Sequence, residues 1–403
     1  MQVLVVCVDL PFPPVGGGLI RTYQVLKALS KDYETTVIGF TYDRLYETPS
    51  IPVEVISVPW SQPSLYKEMN NYNKVLWEKA YNKLAFELAE PWYVSYFGSL
   101  AMKEIIKSVV NEKDFDLILI EDSDMAQYIP IMPVSVPKIV DLHNVYSLMA
   151  TRKLEGLTGL DKQNAIFELN RTIKFEKLIC SQCNLCFTCS QEESAAIKTL
   201  LFIEHVAVVP NGVDTSWFKP AETEPVPDSL LFTGTMSYKP NVEAVCWFVK
   251  EILPLVVEKI PGVTLHIVGT NPVDEVLALA SEKVKILGRV PDMRPYFEKA
   301  EIYIAPILSG GGTRLKLLEA AASGKAIVST SIGAEGIDLK RGEEIILADT
   351  AIEFAESVCR LLKNKQNRRK LELKVRQPVL KYDWIIIAEK IRQLAENLAC
   401  KRT

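Results

Sequence analysis

Residues 304–337 read IAPILSGGGTRLKLLEAAASGKAIVSTSIGAEGI. An apolar strand ends at Pro306, a glycine-rich turn leads into a helix, and a second apolar strand runs from Ala326 to Ser329. This order predicts a βαβ unit with a glycine-rich crossing from strand to helix. Similar strand and helix patterns alternate from residue 230 onward, which predicts a doubly wound parallel sheet in this half of the chain.

The helix of this stretch carries residues that suit a nucleotide. Thr313 is its predicted N-cap, and Lys316 falls in the first turn. Free N–H groups, the helix dipole and a lysine favour phosphate at that end. Glu319 lies one turn further on, where a carboxylate can accept hydrogen bonds from sugar hydroxyls. A glycine-rich cap on an ordinary helix remains an alternative interpretation of the pattern.

The bulk composition bounds the class of protein. A length of 403 residues favours two domains of about 200 residues each. Basic and acidic residues number 46 and 50, and this balance gives no case for a nucleic-acid partner. We find no signal-peptide pattern and no apolar run of about 18 residues. We therefore expect a cytoplasmic protein, with peripheral contact at the inner face of the membrane as a further hypothesis.

Four cysteines have an even spacing of three residues, at Cys180, Cys183, Cys186 and Cys189. Such spacing is typical of iron–sulfur ligands. Here, however, a predicted helix ends before the second cysteine and a predicted strand contains the third, so the thiols should point in different directions. We interpret them as small core residues rather than a cluster site.

The first half of the chain opens with a strand over residues 1–9, a loop ending in three glycines, and a helix. This order is typical of a Rossmann-like domain, although the glycine spacing gives no case for NAD. A later strand, residues 137–141, leads directly into His143. Ligands bind at the carboxyl ends of parallel strands, which makes His143 a candidate site residue. A structural role in the loop remains the alternative.

Two further segments allow more than one interpretation. Residues 60–98 are rich in aromatic residues interleaved with lysines, which predicts a helical excursion from the sheet. Its aromatics either pack on their own domain or form a lip for a large or lipid-linked acceptor at a membrane interface. Asp122 and Asp124 have the spacing of a divalent-metal site, but we favour a loop with a helix cap.

Six motifs together resemble one family: PPVGGGLIRTYQVLKAL, VDLHNV, VPNGVD, FTGTMSYKPN, LGRVPDM and GGGTRLKLLEAAASGKAIVST. Through them the chain resembles the GT-B glycosyltransferases, specifically the GT4-like retaining family (group 1 glycosyltransferases). The resemblance implies an α/β fold of two Rossmann-like doubly wound parallel-sheet domains facing across a cleft. It places an acceptor domain at residues 1–212, with the C-terminal helix 384–403 packing back on it. A nucleotide-sugar domain follows at residues 213–383.

The same resemblance assigns roles to residues. It implies that His143, Lys316 and Glu319 are catalytic, and that Arg21 and His143 lie on the acceptor side. It further implies a set of residues that bind the sugar donor: Gly17, Gly18, Gly234, Lys239, Arg289, Val290, Gly311, Gly312, Thr313, Arg314, Lys316, Leu317 and Glu319.

The chain departs from the family pattern at two positions. Gly311 stands where the family often has a first glutamate, eight residues before Glu319, so another group must make that sugar contact. Thr235 stands where an arginine often follows the glycine of the second domain's first strand. Arg314 or Lys316 is expected to supply the missing phosphate cation.

The function that the resemblance implies is transfer of a sugar from a nucleoside diphosphate sugar, of UDP or GDP type, to an acceptor hydroxyl with retention. The acceptor would be a small molecule, a glycan or a lipid-linked sugar, as in bacterial polysaccharide or glycoconjugate synthesis. Neither a metal nor another cofactor is expected. Two alternatives stay open: a nucleotide-sugar 2-epimerase of the same fold, and a non-catalytic partner subunit.

Overall fold

The structure is a computed structural model that describes residues 1–61, 91–310 and 314–400. Its chain divides into two compact units. The first comprises Met1–Val209 together with Ala388–Thr403, and the second comprises Pro210–Ile387. The carboxyl-terminal segment therefore belongs to the first unit, and the side chains of its residues Ile391 and Ala395 are buried.

The first unit contains a seven-stranded parallel sheet with the strand order β3-β2-β1-β4-β5-β6-β7. Its strands are β1 (Gln2–Cys7), β2 (Glu34–Thr41), β3 (Val53–Pro59), β4 (Leu117–Glu121), β5 (Lys138–Leu142), β6 (Leu185–Thr188) and β7 (Val206–Val208). The described helices are α1 (Gly17–Leu29), α2 (Trp92–Tyr96), α3 (Leu100–Glu112), a 3₁₀ segment (Ser123–Ile131), α4 (Tyr146–Lys153), α5 (Gly159–Ser181) and α6 (Gln191–Ala196), which continues as a π-helical turn (Ile197–Leu201).

The second unit contains a six-stranded parallel sheet with the order β10-β9-β8-β11-β12-β13. Its strands are β8 (Ser229–Thr233), β9 (Thr264–Val268), β10 (Val284–Gly288), β11 (Ile302–Ala305), β12 (Ala326–Ser329) and β13 (Ile346–Leu347). The described helices are α7 (Lys239–Trp247), a π-helical turn (Phe248–Ile252), α8 (Leu253–Lys259), α9 (Asp274–Leu277), α10 (Arg294–Lys299), α11 (Leu315–Ala322), α12 (Ala351–Lys363), α13 (Lys365–Val379), a 3₁₀ turn (Leu380–Tyr382) and α14 (Trp384–Ala399), which crosses into the first unit.

Both sheets are doubly wound, which confirms the predicted fold class. Their central strands are apolar and buried on both faces, as helices on both sides of a parallel sheet require. In each sheet the strand order reverses next to the first strand of the unit, between β1 and β4 and between β8 and β11. Ligands bind at the carboxyl ends of strands at such switch points. The fold therefore predicts one candidate ligand site in each unit.

The predicted helix cap and the four evenly spaced cysteines lie within the described residues. Asp122 is the N-cap of the 3₁₀ segment and accepts a hydrogen bond from the Ser123 N–H, which confirms the predicted helix cap. The cysteines at 180, 183, 186 and 189 are all buried, and burial raises the pKa of Cys183 to about 12. Among the described residues, none of these thiols belongs to a group with metal-ligand spacing.

Most of the aromatic segment, residues 62–90, lies outside the described residues. The aromatics that flank it pack into the first unit. The Trp60 ring lies 5.3 Å from that of Tyr96, and the Tyr93 ring lies 4.6 Å from that of Tyr146. These flanking aromatic residues therefore pack on their own domain, which was one of the two predicted arrangements. Across the part of the chain that the structure describes, we find no helix with both the length and the apolarity that a bilayer span requires.

Candidate active site

Lys316 lies in the first turn of α11, beside the end of β8. Its Nζ donates a hydrogen bond to Asn241 Oδ1 at 2.5 Å and lies 4.3 Å from the centre of the Phe232 ring. Burial, with a smaller contribution from the neighbouring charge of Arg314, lowers the pKa of Lys316 to about 7. An anionic ligand would favour the charged ammonium and pull this pKa upward. The site therefore suits a phosphate group.

Glu319 follows one turn later and is half-buried. Burial raises the pKa of its carboxyl group to about 7, while the nearby Lys316 opposes that rise. A carboxylate at this position can accept hydrogen bonds from ligand hydroxyls. Lys316 and Glu319 are therefore neighbours on α11, as predicted, and place a cation and a hydrogen-bond acceptor on adjoining turns.

Two glycines, Gly234 after β8 and Gly269 after β9, lie in close contact. A Cβ atom on Gly269 would lie 1.6 Å from the Gly234 carbonyl oxygen, so the two chain segments touch through their main chains. A Cβ atom on Gly234 would lie 2.7 Å from Asn241 Nδ2 and 2.9 Å from Lys316 Nζ. The turn after β8 therefore reaches the lysine only because Gly234 has no side chain.

Four other residues that are predicted to bind the sugar donor are either exposed or packed against the hydrophobic core. Lys239 is 85% exposed and lies 3.6 Å from Glu243, an arrangement typical of a surface ion pair. Arg289 is exposed directly after β10, whereas the Val290 side chain packs against the hydrophobic core. The side chain of Leu317, another residue predicted to bind the sugar donor, is fully buried in that core.

The start of α11 also differs from the prediction. Arg314, rather than Thr313, is the N-cap, because the Arg314 carbonyl accepts the first helical hydrogen bond, from the Leu317 N–H at 2.9 Å. Arg314 Nη2 also donates a hydrogen bond to the Ser309 carbonyl oxygen, with 3.4 Å between the two atoms. The predicted positions Gly311, Gly312 and Thr313 lie outside the described residues.

His143 lies just past the end of β5, at the switch point of the first sheet. Its Nε2 is 2.7 Å from Glu121 Oε2, an oxygen that also accepts a hydrogen bond from Thr22 Oγ1 at 3.1 Å. Burial opposes a charge on the imidazole, but the bond to Glu121 and the nearby Asp122 outweigh it and raise the His143 pKa to about 9. The imidazole is therefore protonated near neutral pH.

The amino-terminal glycine loop lies against this histidine. Helix α1 begins at Gly17, and a Cβ atom on Gly18 would lie 3.5 Å from His143 Nδ1. Gly16 precedes the helix with a positive φ of 97°, a conformation that favours glycine. The structure thus brings together three predicted site residues of the first half, Gly17, Gly18 and His143.

Arg21, which is predicted on the acceptor side, is buried and paired within the first unit. Its side chain is buried and forms two hydrogen bonds with Asp141, from Nη2 to Oδ1 at 2.6 Å and from Nε to Oδ2 at 2.9 Å. Asp141 is the last residue but one of β5 and lies two residues before His143. Arg21 therefore ties α1 to the strand that presents the histidine.

Among the described residues, Glu121, Asp141 and His143 form a group with metal-ligand spacing. Arg21 already occupies both oxygens of Asp141, and a protonated His143 engages Glu121. Two cationic side chains, His143 in the group and Arg21 bound to it, would repel a divalent ion. We therefore interpret the group as part of a hydrogen-bond network.

The raised pKa of His143 predicts a pH-dependent stability. The imidazole has a pKa of about 6.5 when unfolded and about 9 when folded, so its contribution is complete below pH 6.5 and disappears as the pH rises through 9. Relative to His143→Gln, the wild type should lose at most about 3 kcal/mol of unfolding free energy over this window, measured by urea titration. Lys316, whose pKa is lowered to about 7, changes the stability in the opposite direction in both proteins, so the difference between their slopes isolates His143. His205→Gln serves as the matched control. Equal slopes in wild type and His143→Gln would contradict the charged imidazole.

Sequence reasoning did not identify Glu121 and Asn241 as part of either site. Glu121 is the last residue of an apolar strand, and a carboxylate at the carboxyl end of a parallel strand is a signal that could have found it. Asn241 lies in the motif KPN, 75 residues before Lys316. No local pattern connects those two positions.

The two doubly wound units define a GT-B fold, and solved structures with low sequence identity share it. A sucrose-phosphate synthase from Thermosynechococcus elongatus superposes with a TM-score of 0.71 at 15% identity, covering 100% of both chains. Anabaena HepE, solved in complex with UDP, superposes with a TM-score of 0.68 at 15% identity, covering 99% of this chain and 100% of that chain.

Within this class, the comparisons show similarity to the group 1 glycosyltransferases over part of the chain. Residues 227–364 match the family described as "Glycosyl transferases group 1". A phosphatidyl-myo-inositol mannosyltransferase of Mycobacterium tuberculosis is 29% identical over 206 residues, which are 47% of this chain and 54% of that protein. A Klebsiella pneumoniae protein of the cps region is 28% identical over 145 residues, 34% of this chain and 37% of that protein. The chain thus spans about half or less of the length of these relatives.

Proposed function

We propose that the protein transfers a sugar from a nucleoside diphosphate sugar, of UDP or GDP type, to an acceptor hydroxyl with retention of anomeric configuration. The observation that carries this proposal is the pair Lys316 and Glu319 on adjoining turns of α11. The lysine lies at the glycine turn after β8, at the switch point of the second sheet. A diphosphate beside Lys316 would place ribose hydroxyls within reach of Glu319.

In the proposed reaction the bond between the anomeric carbon and the diphosphate oxygen breaks, with oxocarbenium character on the sugar. The acceptor oxygen forms its new bond on the same face, and its proton passes to the departing diphosphate. The protein's main task is then to stabilise negative charge on that diphosphate. A preorganised ammonium and main-chain N–H groups do this without reorganising at the moment of reaction.

We further propose that no metal ion is required. In the second unit, the cations near the proposed phosphate position are Lys316 and Arg314. In the first unit, Asp122 caps a 3₁₀ segment, and Asp141 is paired with Arg21. Chelation of divalent ions should leave activity unchanged.

The acceptor is proposed to be a glycan, a small molecule or a lipid-linked sugar, and His143 is the proposed acceptor-side residue. A Klebsiella relative is described as a protein of the cps region, and a mycobacterial relative acts on phosphatidyl-myo-inositol according to its name. Both support a role in bacterial polysaccharide or glycoconjugate synthesis, with peripheral contact at the inner face of the membrane. Sugar acceptors tested with and without a lipid anchor would distinguish the acceptor classes.

A thermal-shift panel of UDP, GDP, ADP and their sugars should identify the nucleotide. A ligand at 100 times its dissociation constant stabilises the native state by about 2.7 kcal/mol, which corresponds to a shift of about 5 °C or more for a domain of this size. The wild type should shift with one base and respond less to the other two. A Lys316→Ala variant should lose most of that shift. No shift with any of these ligands would contradict the proposed function.

Product analysis separates the proposed activity from its two rivals. Incubation with the identified sugar donor and an acceptor panel, followed by NMR of the product anomer, should show a retained configuration. Epimerised donor in the absence of an acceptor would instead identify a 2-epimerase. Nucleotide binding with no turnover on any acceptor would identify a non-catalytic partner subunit.

A further inference from the structure

The Asn241 side chain is buried in the first turn of α7 and bonds in two directions. Its Oδ1 accepts from Lys316 Nζ at 2.5 Å, and its Nδ2 donates to the Thr235 carbonyl oxygen at 2.8 Å. A flipped amide would place its N–H group against the ammonium and its oxygen against a carbonyl. The two bonds together therefore determine the amide orientation.

The ammonium of Lys316 is confined on its other sides as well. Its Nζ lies 4.3 Å from the Phe232 ring centre, and a Cβ atom on Gly234 would come within 2.9 Å of it. The Asn241 bond thus fixes the position of a long, flexible side chain between α7 and the end of β8. A positioned charge acts on a ligand more effectively than a mobile one.

The charged groups that act on Lys316 are Arg314 and Glu319, both in its own segment of chain. The side chains that contact it from neighbouring elements, Asn241 and Phe232, are uncharged. A neutral amide orients an ammonium without cancelling its charge. An aspartate in the same place would hold the lysine equally well but would pair with it, which weakens its attraction for a phosphate.

We propose that Asn241 is a positioning residue: it holds the Lys316 ammonium at the Gly234 turn, without itself neutralising that charge, for the diphosphate of the sugar donor. This inference rests on the proposed function, because it supposes that a diphosphate binds there. Asn241 would act on the sugar donor only through Lys316. Its role would depend on the amide being uncharged.

Two substitutions at Asn241 test this role in the full-length protein. Asn241→Asp keeps the acceptor but adds a charge, whereas Asn241→Leu removes the acceptor at similar volume. Asn367→Asp, at an exposed position in the same unit, is the charge-matched control. Circular dichroism and thermal melts establish that each variant is folded, and either Asn241 variant alone suffices for the test.

The first measurement needs no nucleotide. Competitive labelling with acetic anhydride across pH 6–10, followed by mass spectrometry, gives the titration midpoint of Lys316. Asn241→Asp should raise the midpoint by about one pH unit or more, because a close opposite charge favours the ammonium. Asn241→Leu should lower it, and Asn367→Asp should leave it at the wild-type value. An unchanged midpoint in the folded Asn241 variants would overturn the inference.

The second measurement uses UDP-glucose and GDP-mannose, whose diphosphates keep a constant charge over pH 6–9, and records affinity by calorimetry. Wild-type affinity should fall as the pH rises through the Lys316 midpoint. Asn241→Asp should bind about tenfold more weakly at pH 6.5, with its fall displaced to higher pH. Equal weakening at every pH would assign Asn241 a merely structural role and overturn the inference. If the wild type binds neither sugar nucleotide, the proposed function fails, and the labelling result alone decides the role of Asn241.

Discussion

Lys316→Ala should reduce turnover by about 10²–10³-fold while leaving the protein folded. Removing one preorganised group that stabilises charge in a transition state typically has an effect of this size. The substitution removes an ammonium that burial already disfavours, so the fold should tolerate the loss. Initial rates with the identified sugar donor, together with a thermal melt, measure both expectations.

The chain offers two controls for this prediction. Lys370→Ala removes an exposed lysine from α13 of the same unit and should leave the rate unchanged. Lys239→Ala removes the other predicted phosphate cation, but its exposure and its surface pair with Glu243 predict less than a tenfold effect. A Lys316→Ala enzyme with near-wild-type turnover would refute the assignment of this lysine to the diphosphate.

Glu319→Ala should also abolish turnover, for a different reason. Its carboxylate is the proposed acceptor for sugar hydroxyls, so its loss should weaken binding of the nucleotide as well as the rate. Glu319→Gln keeps a hydrogen-bond acceptor and should recover part of the affinity. Full activity in Glu319→Ala would place the ribose elsewhere.

Arg21→Leu should have the second large effect, on stability. The substitution would leave the Asp141 carboxylate buried without the guanidinium that now holds both of its oxygens. Breaking a buried ion pair from one side typically costs about 3–5 kcal/mol. Urea unfolding followed by circular dichroism should show a loss of this size.

A double variant tests whether the unpaired charge causes that loss. Arg21→Met combined with Asp141→Leu removes both charges and should recover most of the stability, because buried pairs can often be replaced by apolar residues. Lys107→Met removes one partner of an exposed ion pair with Glu104 and should cost about 1 kcal/mol or less. If Arg21→Leu costs no more than Lys107→Met, the buried pair does not have the structural role assigned to it.

Much of the fold could be predicted from the sequence because it is encoded locally. Strand β12 runs from Ala326 to Ser329 as the apolar pattern indicates, and α11 carries Lys316 and Glu319 on adjoining turns. Both depend on residues that are close in sequence, where hydrophobic periodicity and helix geometry suffice. The edge strand β3, Val53–Pro59, was not predicted, since it is only partly buried and lacks a continuous apolar pattern.

The sequence by itself therefore determined the class of fold and the nature of the groups at the start of α11. Only the tertiary structure decided which side chains those groups meet. Arg21 and Asp141 are 120 residues apart, and Lys316 and Asn241 are 75 residues apart. A sheet brings such pairs together through its strand order, which no local pattern encodes. For that reason the sequence predicted a ligand contact for Arg21, whereas the structure shows it buried and paired with Asp141. The hydrogen bond between Lys316 and Asn241 was not predicted at all.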